Sequence, residues 1–187
     1  MRTLLVFAHV RRASLTGQAA EAFAAEASAR GHEIEWADLA GEQFDPVLRE
    51  ADEPDWTDPD KTYSEEVERE MRRIERNEAT VMFFPVYWWS MPALLKGWID
   101  RVWNFGWAYG EVAFPQSRVW MIGVAGNTAS AYAKRSYDSA MQTQMETGIL
   151  AYCGIKERKL HLLYGSIEGS PYPAQILEEA RALGRQF

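Results

Sequence analysis

Short apolar runs alternate along the chain with longer segments of helical spacing. Thr3, Leu4, Leu5, Val6, Phe7 and Ala8 read as a buried strand. Residues 15–30 are alanine-rich, with apolar positions at helical spacing (Leu15, Ala19, Ala22, Phe23, Ala27), and Gly31 follows as a C-terminal stop. Residues 32–38 alternate apolar and polar, as a strand does. This strand–helix–strand unit predicts a right-handed parallel crossover. Residues 39–60 carry Pro46, Pro54, Pro59 and many acids, and predict a long irregular excursion with a helical turn near 47–51. Residues 63–77 form a charged helix, with Glu65 and Glu66 early and Arg72, Arg73 and Arg76 late, an order that suits the helix dipole. That charge run predicts a solvated face.

The next run, Thr80-Val81-Met82-Phe83-Phe84, is continuously apolar and predicts a strand buried on both faces. Pro85 ends it, having no N–H for the ladder. Pro92 opens a helix over 92–103 as its first residue, with Leu95, Ile99 and Val102 on one side. A glycine-punctuated aromatic loop follows at 105–110. A fourth strand at 118–125 leads into Gly126, Asn127 and Thr128. Residues 129–153 are mainly helical, either continuous or broken, 158–164 form a fifth strand, and 174–185 a final helix. Strands thus alternate with helices, which predicts an α/β fold. It is a doubly wound five-stranded parallel sheet, order 2-1-3-4-5, with helices on both faces in a single domain over 1–187. Ligands of such sheets sit at the strands' carboxyl ends, here residues 9–16, 85–91 and 126–132.

Composition narrows the function. The 187 residues suffice for one sizeable core, and 47% are hydrophobic. The net charge of −7 argues against broad nucleic-acid binding. No apolar run approaches bilayer-spanning length, and residues 3–8 are too short for a signal-peptide core. A cytoplasmic protein without membrane insertion is expected. The single cysteine, Cys153, fits a reducing compartment and sits in an apolar stretch that favours a structural role.

Tyr87, Trp88 and Trp89 make the loop between Pro85 and Pro92 unusually aromatic. Such a loop is either a platform for something flat or the filling of a core or subunit contact. In the first loop, Ser14 is an N-cap candidate and Thr16 carries a hydroxyl. Free N–H groups at the helix start attract phosphate, with positive charge available from His9, Arg11 or Arg12. Mere capping is the plainer reading. Neither a Walker A run nor Gly-x-Gly-x-x-Gly follows the first strand. The remaining pattern, phosphate at one loop and flat rings at the others, has the shape of flavin mononucleotide. His9, His32 and His161 form no metal-ligand spacing, so no metal site is expected. No Gly-x-Ser-x-Gly elbow is present either. Tyr132, after the fourth strand, is either an ordinary helix-face tyrosine or a hydroxyl donor to an oxygen gaining charge during hydride transfer.

Four stretches together resemble a known family, the flavodoxin-like NAD(P)H:quinone oxidoreductases. Ala8-His9 with Ser14-Leu15-Thr16 is similar to the family's phosphate loop. Asp38-Leu39 with Phe44-Asp45-Pro46 resembles a second segment. The run from Phe84 through Pro85-Val86-Tyr87-Trp88-Trp89-Ser90-Met91-Pro92-Ala93-Leu94-Leu95-Lys96-Gly97-Trp98 to Val102 is the most specific match. Gly148-Ile149-Leu150 with Cys153-Gly154 is the last. The resemblance implies that His9, Ser14, Leu15 and Thr16 hold a flavin's phosphate and ribityl side. It places Pro85, Val86, Tyr87, Trp88 and Trp89 along the isoalloxazine, and Val124, Ala125 and Gly126 in a third binding loop. Trp107 and Tyr109 match the family's aromatic loop, which reaches the site across a homodimer interface to meet substrate. The implied activity is two-electron reduction of a quinone-like acceptor by NAD(P)H through FMN, or FAD, with Tyr132 as the catalytic tyrosine. This chain departs from the family in having Tyr87 where glutamine is common. It also reads Gly123-Val124-Ala125-Gly126 in the third loop and lacks a histidine between Tyr132 and Cys153. Two further readings fit the same resemblance: an ancillary subunit of a potassium-efflux transporter, and a flavodoxin-type electron carrier.

Overall fold

A computed structural model describes residues 1–58 and 60–187, so Pro59 of the predicted excursion lies outside the described residues. Five strands, β1 (Arg2–Phe7), β2 (Glu33–Asp38), β3 (Ala79–Pro85), β4 (Arg118–Val124) and β5 (Glu157–Leu163), pair in parallel. Their order is β2-β1-β3-β4-β5, as the alternation predicts. Every residue of β3 is buried, because apolar layers cover both sides of this central strand. Pro85 is its last residue, opposite Val124.

Strand side chains alternate between two cores. Leu5, Phe7, Val81, Phe83 and Ile122 meet α1 (Leu15–Ala29) and, later in the chain, the final helix Tyr172–Gln186. Leu4, Val6, Met82, Phe84 and Met121 meet α2 (Glu65–Glu75) and α3 (Ala93–Val102) on the other side. The mainly helical stretch after β4 is broken into pieces. A short α4 (Ala129–Ala133) gives way to α5 (Tyr137–Gln142), which continues as a π-helical segment, Thr143–Ala151. The final helix is α6.

Two expectations change. Pro92 is the N-cap of α3, not its first helical residue, with extended ψ of 155°. The α2 charge run is not wholly solvated. Glu70 is 1% exposed and accepts from the buried Trp98 indole Nε1 at 3.1 Å. It also pairs with Arg73 at 3.3 Å. A charge can sit there because hydrogen bonds replace the water it loses.

The excursion contains a 3-10 turn, Glu50–Asp52, and packs onto α3. Buried Asp52 takes Arg101 Nη2 at 2.7 Å and the Ser64 N–H at 2.8 Å, while Glu66 takes Arg101 Nη1 at 2.5 Å. The approach is close enough that a Cβ at Gly97 would stand 2.1 Å from the Pro46 carbonyl oxygen. That contact is a physical reason for glycine in Lys96-Gly97-Trp98. Among the described residues, no helix is long and apolar enough to cross a membrane.

Candidate functional site

Three loops meet at the carboxyl edge of the sheet, above β1, β3 and β4. In the first, Ser14 caps α1 by accepting the Gly17 N–H at 3.2 Å. The loop wraps tightly, since a Cβ at Gly17 would fall 1.8 Å from the Arg12 carbonyl oxygen. The N–H groups of Leu15 and Thr16, in the helix's first turn, have no acceptor among the described residues. His9 Nδ1 accepts from the Arg11 N–H at 2.9 Å, which leaves the proton on Nε2. Burial, and then the Arg11 charge, hold the His9 pKa below its ordinary value. His9 is therefore a neutral donor at this edge, not a cation. Arg12 faces elsewhere. Its guanidinium lies 3.5 Å over the Trp36 ring on β2 and bonds Glu21 at 3.1 Å. Arg11 is exposed.

In the second loop, Tyr87 and Ser90 exchange backbone hydrogen bonds of 3.0 Å each way. Between them Trp88 has φ 51° and Trp89 φ 54°, the two-residue hairpin pattern with both central residues left-handed. Such turns favour asparagine and glycine, and an ordinary side chain there costs about 1–2 kcal/mol. Two indoles hold it here. Trp88 is 88% exposed, while Trp89 is 38% exposed and leans on Tyr137, ring centroids 4.2 Å apart. The Trp88 and Trp89 N–H groups meet no acceptor among the described residues. The Val86 N–H, by contrast, is taken by the Val124 carbonyl at 2.9 Å.

The third loop divides in the same way. The Ala125 N–H is bound to the Leu163 carbonyl at 2.7 Å, whereas those of Gly126, Asn127 and Thr128 meet no acceptor among the described residues. The Thr128 hydroxyl caps α4, accepting the Ala131 N–H at 3.3 Å. One sheet edge thus gathers three sets of unspent backbone donors beside an aromatic turn. Donors so placed attract phosphate or carbonyl-rich groups, and the rings offer a flat apolar surface.

Tyr132 is 4% exposed and sits edge-on to Tyr164 at 5.3 Å and Tyr137 at 5.9 Å. Burial pushes its phenol pKa up, which keeps its proton in place. Trp107 and Tyr109 lie apart from these loops. Trp107 Nε1 donates to Glu75 at 2.7 Å, and its ring meets Phe114. Tyr109 pairs with Phe105 and Tyr152 and lines a cavity of about 300 Å³ with Trp103, Ile149 and Cys153. Neither ring stacks on Trp88 or Trp89 within the chain. Two residues not singled out in the sequence do meet the turn: Tyr137 on Trp89, and Gln144, whose Oε1 lies 3.3 Å from the Ser90 hydroxyl. Neither carries a signal of its own in the sequence, since both contacts depend on how the chain turns after α4.

Comparison with known proteins agrees with this fold. The pattern of the flavodoxin-like fold family matches residues 1–186. The uncharacterized NAD(P)H oxidoreductase YcaK of Escherichia coli is 34% identical over 167 residues, covering 89% of this chain and 85% of that protein. Rat NAD(P)H dehydrogenase (quinone) 1 is 26% identical, covering 94% of this chain and 72% of the relative. Among solved structures, an NAD(P)H:quinone oxidoreductase from Methanothermobacter marburgensis superposes with a TM-score of 0.94 at 29% identity. It covers 100% of this chain and 95% of that one. A family match along nearly the whole chain, joined to the parallel β2-β1-β3-β4-β5 sheet, places this protein in the flavodoxin-like fold family.

Proposed function

We propose that this protein is a flavin-dependent NAD(P)H oxidoreductase that reduces quinone-like acceptors by two electrons. The supporting observation is the carboxyl edge itself, where unspent N–H groups of Leu15, Thr16, Trp88, Trp89, Gly126 and Asn127 surround a left-handed tryptophan turn. The relatives' names agree with that reading.

The residues present fit a flavin. Leu15 and Thr16, with the Ser14 cap and the His9 Nε2 donor beside them, would hold the phosphate. Trp88 and Trp89, following Pro85, Val86 and Tyr87, would flank the ring system. Gly126, after Val124 and Ala125, would face the ring's carbonyl end with its N–H, favouring charge that develops there. FMN is the form we favour over FAD, since a single phosphate matches the single helix start. When bound, the flavin supplies the hydride chemistry, and the protein's part is to bind, orient and shield. Tyr132, kept protonated by its burial, would donate a hydrogen bond to an acceptor oxygen. Trp107 and Tyr109 would serve the site of a second copy in a homodimer, which accounts for their distance from the turn of their own chain.

The test is to purify the protein, supply FMN or FAD, and follow NAD(P)H oxidation with a menadione-type quinone. Flavin-dependent turnover is expected. Absence of both bound flavin and turnover refutes the proposal.

A further inference from the structure

We propose that Tyr137 is a positioning residue that fixes the plane of Trp89 and thereby tunes the fit of flat, ring-stacking acceptors. The inference rests on the oxidoreductase reading above.

The two indoles of the turn are held very differently. Trp88 is 88% exposed, and among the described residues its one aromatic partner is Trp89, edge-on at 5.9 Å. Trp89 has one face covered by Tyr137, the rings only 31° from parallel with centroids 4.2 Å apart. Tyr137 is itself braced. Tyr132 stands edge-on behind it at 5.9 Å, and Tyr164 stands edge-on to Tyr132 at 5.3 Å.

The backbone is arranged to deliver this ring. Ser136, immediately before Tyr137, takes a left-handed φ of 57°, a costly conformation for a side-chain-bearing residue. That bend turns the chain between α4 and α5 and sets Tyr137 against the tryptophan turn. Seven residues on, two helical turns later, Gln144 meets the Ser90 hydroxyl at 3.3 Å. One helical face therefore grips the hairpin at its tip and at its exit. Three non-glycine residues in left-handed backbone, Trp88, Trp89 and Ser136, cluster on the two sides of one stacked pair. The result is one indole backed by a helix and one left exposed beside it.

The test compares two acceptors in the full-length, flavin-loaded protein. A menadione-type naphthoquinone must stack to react, whereas ferricyanide takes electrons without stacking. Loss of an aromatic pair in Tyr137→Leu raises the quinone KM roughly three- to tenfold. The quinone kcat and the ferricyanide rate stay unchanged, and Tyr137→Phe restores the KM. Tyr137→Met replaces the leucine variant if that one fails to fold. In parallel, the protein labelled with 5-fluorotryptophan is examined by fluorine NMR without cofactor, its Trp89 signal assigned by loss in Trp89→Phe. Tyr137→Leu shifts that signal and leaves the buried Trp98 signal in place. An unmoved Trp89 signal, or equal loss of rate with both acceptors, overturns the inference. A shifted Trp89 signal in a protein that supports NAD(P)H oxidation by neither acceptor overturns the oxidoreductase reading and upholds the positioning of Trp89.

Discussion

Replacing Trp88 by asparagine separates a residue kept for function from one kept for stability. The left-handed backbone at Trp88 costs an ordinary side chain about 1–2 kcal/mol, and asparagine enters that region readily. At 88% exposure the indole has little burial to lose. Its edge contact with Trp89, centroids 5.9 Å apart, is worth about 0.5–1.5 kcal/mol. The two effects nearly cancel, with a net gain for Trp88→Asn of about 0.5 kcal/mol. For a chain of this size that raises Tm by about 1–2 °C. Urea and thermal unfolding of the flavin-free protein read the change directly. The same variant binds flavin about two- to tenfold more weakly, having lost one ring of the seat. A stability loss above about 1 kcal/mol would show that Trp88 is a packing residue and refute the reasoning.

Three further outcomes follow from the same structure. Arg101→Ala strands Asp52 and Glu66 and destabilises the protein by about 3–5 kcal/mol in urea unfolding at pH 7. Burial raises the Asp52 pKa, but hydrogen bonds from Arg101 and Ser64 outweigh it and hold the carboxyl below its usual range. The stability it contributes is thus present above about pH 4 and lost as pH falls through the lower folded value, so wild type and variant converge in acid. Gly97→Ala drives a methyl into the Pro46 carbonyl and costs about 1–3 kcal/mol, visible as a lowered Tm with an unchanged far-ultraviolet spectrum. Cys153, 5% exposed, has its thiol pushed up to about 11 by burial. A thiol-reactive chromogen at pH 8 therefore labels it in urea and leaves the native protein untouched; fast native labelling would place it at the surface.

The strands were legible because each is a continuous or alternating apolar run bounded by glycine, proline or charge, and parallel pairing then follows from the intervening helices. Ser14 was legible as a cap because a capping hydroxyl acts within three residues. What stayed hidden depends on long-range or unfavourable geometry. Nothing in Trp88-Trp89 announces left-handed backbone, which runs against the preference of both side chains. Arg12 reads as one of three candidate charges for a phosphate until Trp36, far along the chain, captures it. Glu70 reads as solvated until Trp98 arrives from α3. Tyr137 looks like any helix-face tyrosine until the bend at Ser136 turns it onto Trp89.

Flavin titration of the purified protein, read by quenching of tryptophan fluorescence and by the absorption of the bound fraction, bears most directly on the central claim. Saturation at about one flavin per chain is predicted, with Trp88→Asn weakening it about two- to tenfold. No saturable binding of either FMN or FAD by the folded wild-type protein would contradict the account.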